Sequence, residues 1–297
     1  MLLTILRRAA LLVAVLGAVL LPFAAAAQSQ AEDLKFPTEE STISVFTRPQ
    51  MALYKPDGPG PFPALVLMHQ CGGLGNGRWQ NLSMLDWARQ GVTQGYVVMV
   101  VDALGPRNVD SVCMGPKGGV TFNRGARDAI QAAEHLRKLP YVDGQRVALA
   151  GYSWGAMVGL LTSSDAISQR GANRAFGAIV SFYPGCFTLR PANGSPYELI
   201  RPDIGTPLLV LMGALDNETP AEECVQKLEP LRASGAPVEL HVFPDTTHCW
   251  DCKNLNGFTK IDSRGNHVQY RYSEAVTTDA SNRMFAFLSA RLGSGAR

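Results

Sequence analysis

The sequence carries no surplus of either charge: 27 lysines and arginines stand against 25 aspartates and glutamates in 297 residues. That balance gives no reason to expect nucleic acid or an anionic membrane surface as a partner, since both are recognised through concentrated basic patches. Charged residues make up only 18% of the chain and hydrophobic residues 46%, with none of the compositional bias of a collagen-like or disordered protein. No internal repeat and no linker divides the chain, so a multi-domain or solenoid organisation is not expected.

What is present begins with "MLLTILRRAALLVAVLGAVLLPFAAAAQSQ". Arg7 and Arg8 precede an apolar run, Pro22 interrupts it, and Ala25, Ala26 and Ala27 offer the small residues a signal peptidase requires. We expect a secretory signal peptide over residues 1–27, with an uncleaved membrane anchor as the alternative. Its removal takes away both arginines and no acid, so a formal charge of +2 falls to about zero. The remaining residues, 28–297, suffice for one large α/β domain. The expected compartment is periplasmic or extracellular, with no stable membrane association after cleavage.

Strand-length apolar runs recur at intervals that leave room for helices: 63–69, 96–103, 146–152, 176–183, 207–214 and 238–243. Most are apolar throughout, as strands covered on both faces are. Between them, "RGARDAIQAAEHLRKLP" spaces Ala126, Ala129, Ile130 and Ala133 along one helical face. In "TPAEECVQKLEPLRASG", Thr219 is a candidate N-cap, Pro220 the first helical residue and Gly235 the stop. "SEAVTTDASNRMFAFLSARL" predicts a terminal helix, and "STISVFTRPQMALYKP" an edge hairpin of two antiparallel strands. The expected architecture is a mostly parallel twisted sheet with helices on both faces. Ligands in such sheets sit at the carboxyl ends of the strands, which directs attention to the residues after each apolar run.

Ser153 follows the third core run inside Gly151-Tyr152-Ser153-Trp154-Gly155. A strand-to-helix turn that pushes a serine hydroxyl outward presses backbone against backbone two residues on either side, where only glycine fits. A serine is a poor nucleophile without a base and a group that orients the base. His248, in "FPDTTHCWD", follows the last core run; His135 and His267 read as surface residues, His241 as a partly buried strand residue and His69 as a loop-shaping one. Asp216, two residues after "LLVLMGA", is the expected acid, with Asp245, Glu218 and Asp251 as weaker candidates. The chain order Ser153, Asp216, His248 is the one α/β-hydrolases use. Donors for the oxyanion are expected from the backbone N–H of Trp154 and, in the loop "HQCGGLGNG", of Gln70, with Cys71 as substitute.

These stretches resemble the dienelactone hydrolase family of α/β-hydrolases, in a serine-nucleophile variant. The likeness runs through "PALVLMHQCGGL", "GYVVMVVDALGPR", "RDAIQAAEHLRKLPYVDGQRVALAGYSWGA", "LLVLMGALDNETPAEEC" and "VFPDTTHCWD". It implies hydrolysis of ester or lactone bonds through a covalent acyl-enzyme, with no metal and no organic cofactor. The chain departs from the namesake enzymes by carrying Ser153 in place of cysteine and Gln70 in place of glutamate. It also has no arginine after His248, where Cys249-Trp250-Asp251-Cys252 stands, and Arg107 approximates the family's other carboxylate-binding arginine. A serine esterase acting on small esters or lactones is therefore the expected activity. The alternatives are a peptidase or acyltransferase on the same framework, or a non-catalytic binding protein.

Tyr152, Trp154, Tyr183 and Trp250 are candidates for lining the substrate pocket, with core packing as their other role. The six cysteines, 71, 113, 186, 224, 249 and 252, can pair in fifteen ways. Cys71 and Cys113 lie in loops after neighbouring strands, which suggests a bridge. For Cys249 and Cys252 a structural disulfide to Cys224 or Cys186 is preferred over a redox or zinc site, because no second ligand pair has zinc spacing.

Overall fold

The computed structural model describes residues 31–170, 173–191 and 194–293; the expected signal segment, 1–27, lies outside the described residues. The strands are β1 (Ala52–Tyr54), β2 (Phe62–Met68), β3 (Val97–Val101), β4 (Val142–Tyr152), β5 (Gln169–Arg170) and β6 (Asn173–Arg174). They continue with β7 (Ala178–Phe182), β8 (Leu208–Gly213), β9 (Val238–Phe243), β10 (Thr259–Ile261) and β11 (His267–Gln269). Seven form one sheet in the order β1-β3-β2-β4-β7-β8-β9. Only β1 runs antiparallel, against β3, while the other neighbours are parallel. β5 with β6, and β10 with β11, make two small separate hairpins.

The continuous apolar runs have a simple cause. In β2, Ala64, Val66 and Met68 face one apolar layer while Leu65 and Leu67 face the other. β3 repeats the pattern with Val97, Met99 and Val101 against Val98 and Val100. Each valine, leucine or methionine among them contributes about 1.5–3 kcal/mol when fully removed from water, so a strand covered on both sides gains from both faces.

The first layer is filled by α2 (Phe122–Leu136), α3 (Trp154–Thr162) and α5 (Ala221–Ala233), the second by α1 (Leu82–Thr93) and α6 (Glu274–Leu292); the single turn α4 (Asp165–Ser168) follows α3. Thr121 caps α2 by accepting from the Arg124 N–H at 3.2 Å, and Ser273 caps α6 by accepting from Val276 at 3.3 Å. These local signals agree with the helices that hold them.

Two expectations change. The polar stretch 41–56 forms no antiparallel hairpin: β1 pairs with β3, its other edge makes only a single parallel bridge from Leu53 to Glu40, and Val45 and Phe46 are solvent-exposed. Pro49, lacking an N–H, cannot contribute a donor to a ladder there. α5 starts one residue later than expected, with Pro220 at the N-cap. Thr219 turns its hydroxyl to Asp216 instead.

Candidate active site

Four chain segments leave the carboxyl edge of the sheet beside one another, after β2, β4, β8 and β9. Ser153 occupies the turn from β4 into α3 at φ 50°, ψ −109°, a left-handed conformation costly for any residue with a Cβ. Its N–H donates to the carbonyl of Phe182 at 2.9 Å, and Gly155 N–H to that of His69 at 3.1 Å, so β7 and the β2 loop hold the turn from two sides. A Cβ on Gly151 would overlap the Gly155 carbonyl, and one on Gly155 would overlap the Met68 carbonyl.

The hydroxyl thus presented lies 3.0 Å from His248 Nε2, and His248 Nδ1 lies 2.7 Å from Asp216 Oδ2. All three side chains are buried. Asp216 is itself held. Its Oδ1 accepts from the N–H groups of Glu218 at 3.0 Å and Thr219 at 2.9 Å, and its Oδ2 accepts from the Thr219 hydroxyl at 2.8 Å. The tautomer that donates from Nδ1 to the carboxylate leaves Nε2 free to accept the serine proton. Burial disfavours protonated His248, but the charges of Asp216 and Glu218 outweigh it and raise its pKa above the usual histidine value.

Glu218 is the residue whose place sequence reasoning underrated. Its Oε2 lies 3.9 Å from His248 Nε2, its Oε1 binds Lys260 at 2.7 Å, and Tyr270 donates to Oε2 at 2.9 Å. Burial pushes the Glu218 pKa up, yet His248 and Lys260 bring it below the usual value. A second carboxylate therefore flanks the nitrogen facing Ser153, partly neutralised by a lysine from the β10–β11 hairpin. Glu218→Gln removes one of the charges that favour imidazolium and leaves Lys260 uncompensated; both effects lower the His248 pKa. Since the base must be neutral, the acid limb of the kcat/KM profile is expected to move to lower pH, with acid-side activity rising several-fold relative to the optimum. Lys260→Met should move it the other way. Identical acid limbs in all three proteins would refute the coupling.

The loop after β2 is ordered by His69. Its Nδ1 faces the Gln70 carbonyl at 2.6 Å and its Nε2 accepts from Ala103 N–H at 3.1 Å, a pattern for neutral imidazole, and burial lowers its pKa. Because the His69 carbonyl points at Gly155, the trans peptide turns the Gln70 N–H away from the start of α3. The Gln70 carbonyl in turn accepts from Gly73 N–H at 3.0 Å. Cys71, the next residue, borders the space in front of Ser153 on both sides. Gln70, the expected oxyanion donor, borders only the larger of the two. The Gln70 side chain instead joins a buried polar chain, donating to the Tyr183 hydroxyl at 3.3 Å and accepting from Asn81.

Among the expected pocket residues, Trp154 lines the cavity beside Ser153, stacked against His69 and Phe122. Three others do not reach it. Tyr152 is fully buried in the second apolar layer against Trp87 and Phe182, two residues beyond Ala150 on the same strand face. Trp250 packs there too, edge-on to Tyr183. Tyr183 supports the base from behind, its ring 4.7 Å from that of His248 and its hydroxyl donating to Asp251 at 2.6 Å. Asp251 also accepts from Trp87 Nε1 at 2.7 Å; burial raises its pKa, and it takes no part in the relay. Arg107 is a correction: its guanidinium binds Asp128 at 2.6 and 2.8 Å and the Glu32 carbonyl, so no charge is left for a substrate carboxylate. Asp245 sits exposed in a turn at φ 51°, and His135 is half-buried with Nε2 near the Pro37 carbonyl.

All six cysteines are paired, as 71–113, 186–224 and 249–252. The first matches expectation. The last does not: the His248 loop closes on itself, since the left-handed Cys249 turns the chain back and Cys252 N–H donates to the Cys249 carbonyl at 3.0 Å. With those sulfurs joined, the cluster of Cys249, Asp251 and Cys252 has no thiolate to offer a metal.

A mostly parallel sheet that presents a serine on a strand–helix turn, with acid and histidine after later strands, defines an α/β-hydrolase fold. The chain belongs to the dienelactone hydrolase family, whose model matches residues 50–292. It is 31% identical over 111 residues to a putative carboxymethylenebutenolidase of Escherichia coli O157:H7, covering 37% of this chain and 38% of that protein. It is 28% identical over 176 residues to a probable dipeptidyl-aminopeptidase B of Grosmannia clavigera, covering 52% of this chain and 17% of that much longer relative. A putative dienelactone hydrolase from Klebsiella pneumoniae superposes with TM-score 0.58 at 19% identity, over 78% of this chain and 89% of the other. Esterase 2 of Thermogutta terrifontis, in a structure phosphorylated by paraoxon, superposes with TM-score 0.60 at 17% identity, over 82% and 90%.

Proposed function

We propose that this hydrolase cleaves small esters or lactones through an acyl-enzyme on Ser153. The observation that supports the reading is the unbroken relay from Asp216 through His248 to the Ser153 hydroxyl, at 2.7 and 3.0 Å. Ser153 Oγ attacks the acyl carbon while His248 Nε2 takes its proton. The carbonyl oxygen gains the negative charge and is held by the N–H groups of Trp154 and Cys71. As the tetrahedral intermediate collapses, His248 returns the proton to the departing oxygen and the ester C–O bond breaks. Water, deprotonated by the same nitrogen, then releases the acid and restores Ser153. Asp216 keeps the imidazole in the productive tautomer throughout, and each oxyanion donor is worth about two to three powers of ten in turnover. No step calls for a metal or cofactor.

The three disulfides fit an oxidising compartment, which agrees with a signal peptide over 1–27 and a periplasmic or secreted single domain over 28–297. A second reading, a peptidase, draws on the similarity to dipeptidyl-aminopeptidase B sequences. The chain spans less than a quarter of those relatives' length, so their activity bears on it only through the shared hydrolase region. A substrate panel separates the readings. Short-chain nitrophenyl esters are expected to turn over at least a hundredfold faster, in kcat/KM, than aminoacyl or dipeptidyl nitroanilides. The reverse ranking would establish the peptidase.

A further inference from the structure

Two cavities meet at Ser153, and they differ in size, in lining and in which catalytic group they touch. The smaller, about 160 Å³, is lined by Phe122 of α2 and Trp154 and Met157 of α3, with Phe187, Glu218 and the turn Asp262–Arg264 completing its wall. The larger, about 490 Å³, is walled by Trp79, Leu255, Phe258 and Tyr270, with Lys260 at its rim. The Cys71–Cys113 bridge is common to both. Trp154 borders only the smaller and His248 only the larger.

That division assigns the two halves of a substrate. The departing oxygen must receive its proton from His248 Nε2, so the group attached to it extends into the space His248 opens onto. The departing group takes the His248 side, so the remainder of the acyl group, still bonded to Ser153, is left the other space that opens there, the smaller one. A cavity of about 150 Å³ holds one benzene-sized molecule, which limits the acyl group to about six carbons beyond the carbonyl. The larger cavity has the volume of a site for a drug-sized ligand. Its aromatic and aliphatic walls favour an apolar group, and the lysine and aspartate at its rim are paired, Lys260 with Glu218 and Asp110 with Lys117.

We infer that the preferred substrate is an open-chain ester joining a short acyl group to a bulky, uncharged, ring-bearing alcohol. The inference rests on the Ser153 acyl-enzyme reading and extends it to the substrate class. A small lactone, which ties its acyl and alkoxy ends into one ring, fills only one of the two spaces and falls below such an ester in kcat/KM.

The test uses the mature protein and alcohols of similar acidity, so that leaving-group chemistry does not mask fit. Butyrate esters of ethanol, benzyl alcohol and 2-naphthylmethanol are expected to rise about tenfold or more in kcat/KM along the series. 2-Naphthylmethyl esters of acetate, butyrate and decanoate are expected to fall at least tenfold between the last two. Met157→Trp, filling the smaller cavity, should narrow tolerance to acetyl and also slow deacylation of the butyryl-enzyme, because the acyl group is still bound at that step. Phe258→Ala should erase most of the advantage of the naphthylmethyl ester over the ethyl ester, with the change confined to acylation, because the alcohol has already left. Phe258→Ala acting on deacylation, with Met157→Trp acting only on the alcohol series, would reverse the assignment and overturn the inference. Flat selectivity in both series would do the same. Adduct formation at Ser153 with a fluorophosphonate, followed by intact mass in every variant, reports separately on folding and on the acyl-enzyme reading. Labelling without selectivity refutes only the subsites, whereas no labelling of the native protein refutes both.

Discussion

Ser153→Ala is expected to reduce kcat for a short-chain nitrophenyl ester by about a million-fold, leaving only what the oxyanion donors and binding can supply. The size follows from non-additivity: His248 and Asp216 act on the reaction only through the Ser153 hydroxyl, so removing Oγ silences all three. The folded protein should change little. The hydroxyl is one of several groups around His248, which keeps Asp216 and the edge of Tyr183, and the cost is about 1 kcal/mol. Alanine also retains the left-handed backbone at φ 50° without adding volume. Steady-state assays combined with intact mass after fluorophosphonate treatment would check this. The native chain should gain one adduct and the variant none. A variant that keeps more than a hundredth of the native rate, or that labels at the same mass increment, would mean that another group attacks and that the relay at 153, 216 and 248 is structural.

How far the sequence revealed this site depends on how local each determinant is. The core strands were legible because burial on two faces makes every position apolar, a signal that needs no knowledge of partners. Ser153, Asp216 and His248 were legible because each stands directly after such a run. α1 is the harder case: Asn81 is a favoured N-cap residue, but its side chain donates to Gln70 and to the Gly73 carbonyl instead of capping the helix. Stretch 41–56 alternates like a hairpin, but β1 takes β3 as its antiparallel partner and meets the preceding chain only through a parallel bridge to Glu40, and a two-residue period cannot report that. Arg107 is expected at the substrate only through the family resemblance, and its actual partner, Asp128, is 21 residues away and meets it only in the fold. Of the cysteine pairs, 71–113 is legible from loops that follow neighbouring strands, whereas 186–224 and 249–252 need coordinates. Glu218 illustrates an intermediate case. Its position two residues after Asp216 put it on the rim, but its proximity to His248 Nε2 depends on Lys260 and Tyr270, which a hairpin far along the chain brings over the site.

Gly155→Ala is expected to cost about 4–5 kcal/mol or more, enough to leave little folded protein at 37 °C. Helix propensity alone gives the opposite sign, since alanine in a helix is favoured over glycine by about 1 kcal/mol. Gly155 lies in the first turn of α3, so propensity argues for the substitution. Sterics decide against it. The new methyl would overlap the Met68 carbonyl and lie 2.7 Å from that of His69, and neither can yield cheaply. Met68 ends β2, which is paired with β3 on one side and β4 on the other, and the His69 carbonyl already accepts the Gly155 N–H at 3.1 Å. Relief therefore requires α3 to move off the sheet, which takes with it the Trp154 amide and the turn that holds Ser153 at φ 50°. Stability and activity should fall together. Gly77→Ala is the matched control, because no atom lies within 4 Å of the added carbon and the backbone there is not left-handed. Its urea midpoint is expected to equal or exceed that of the native chain, while that of Gly155→Ala drops sharply. If Gly155→Ala unfolded at the native midpoint with full labelling of the serine, the close approach of α3 to the end of β2 could not be what holds the nucleophile in place.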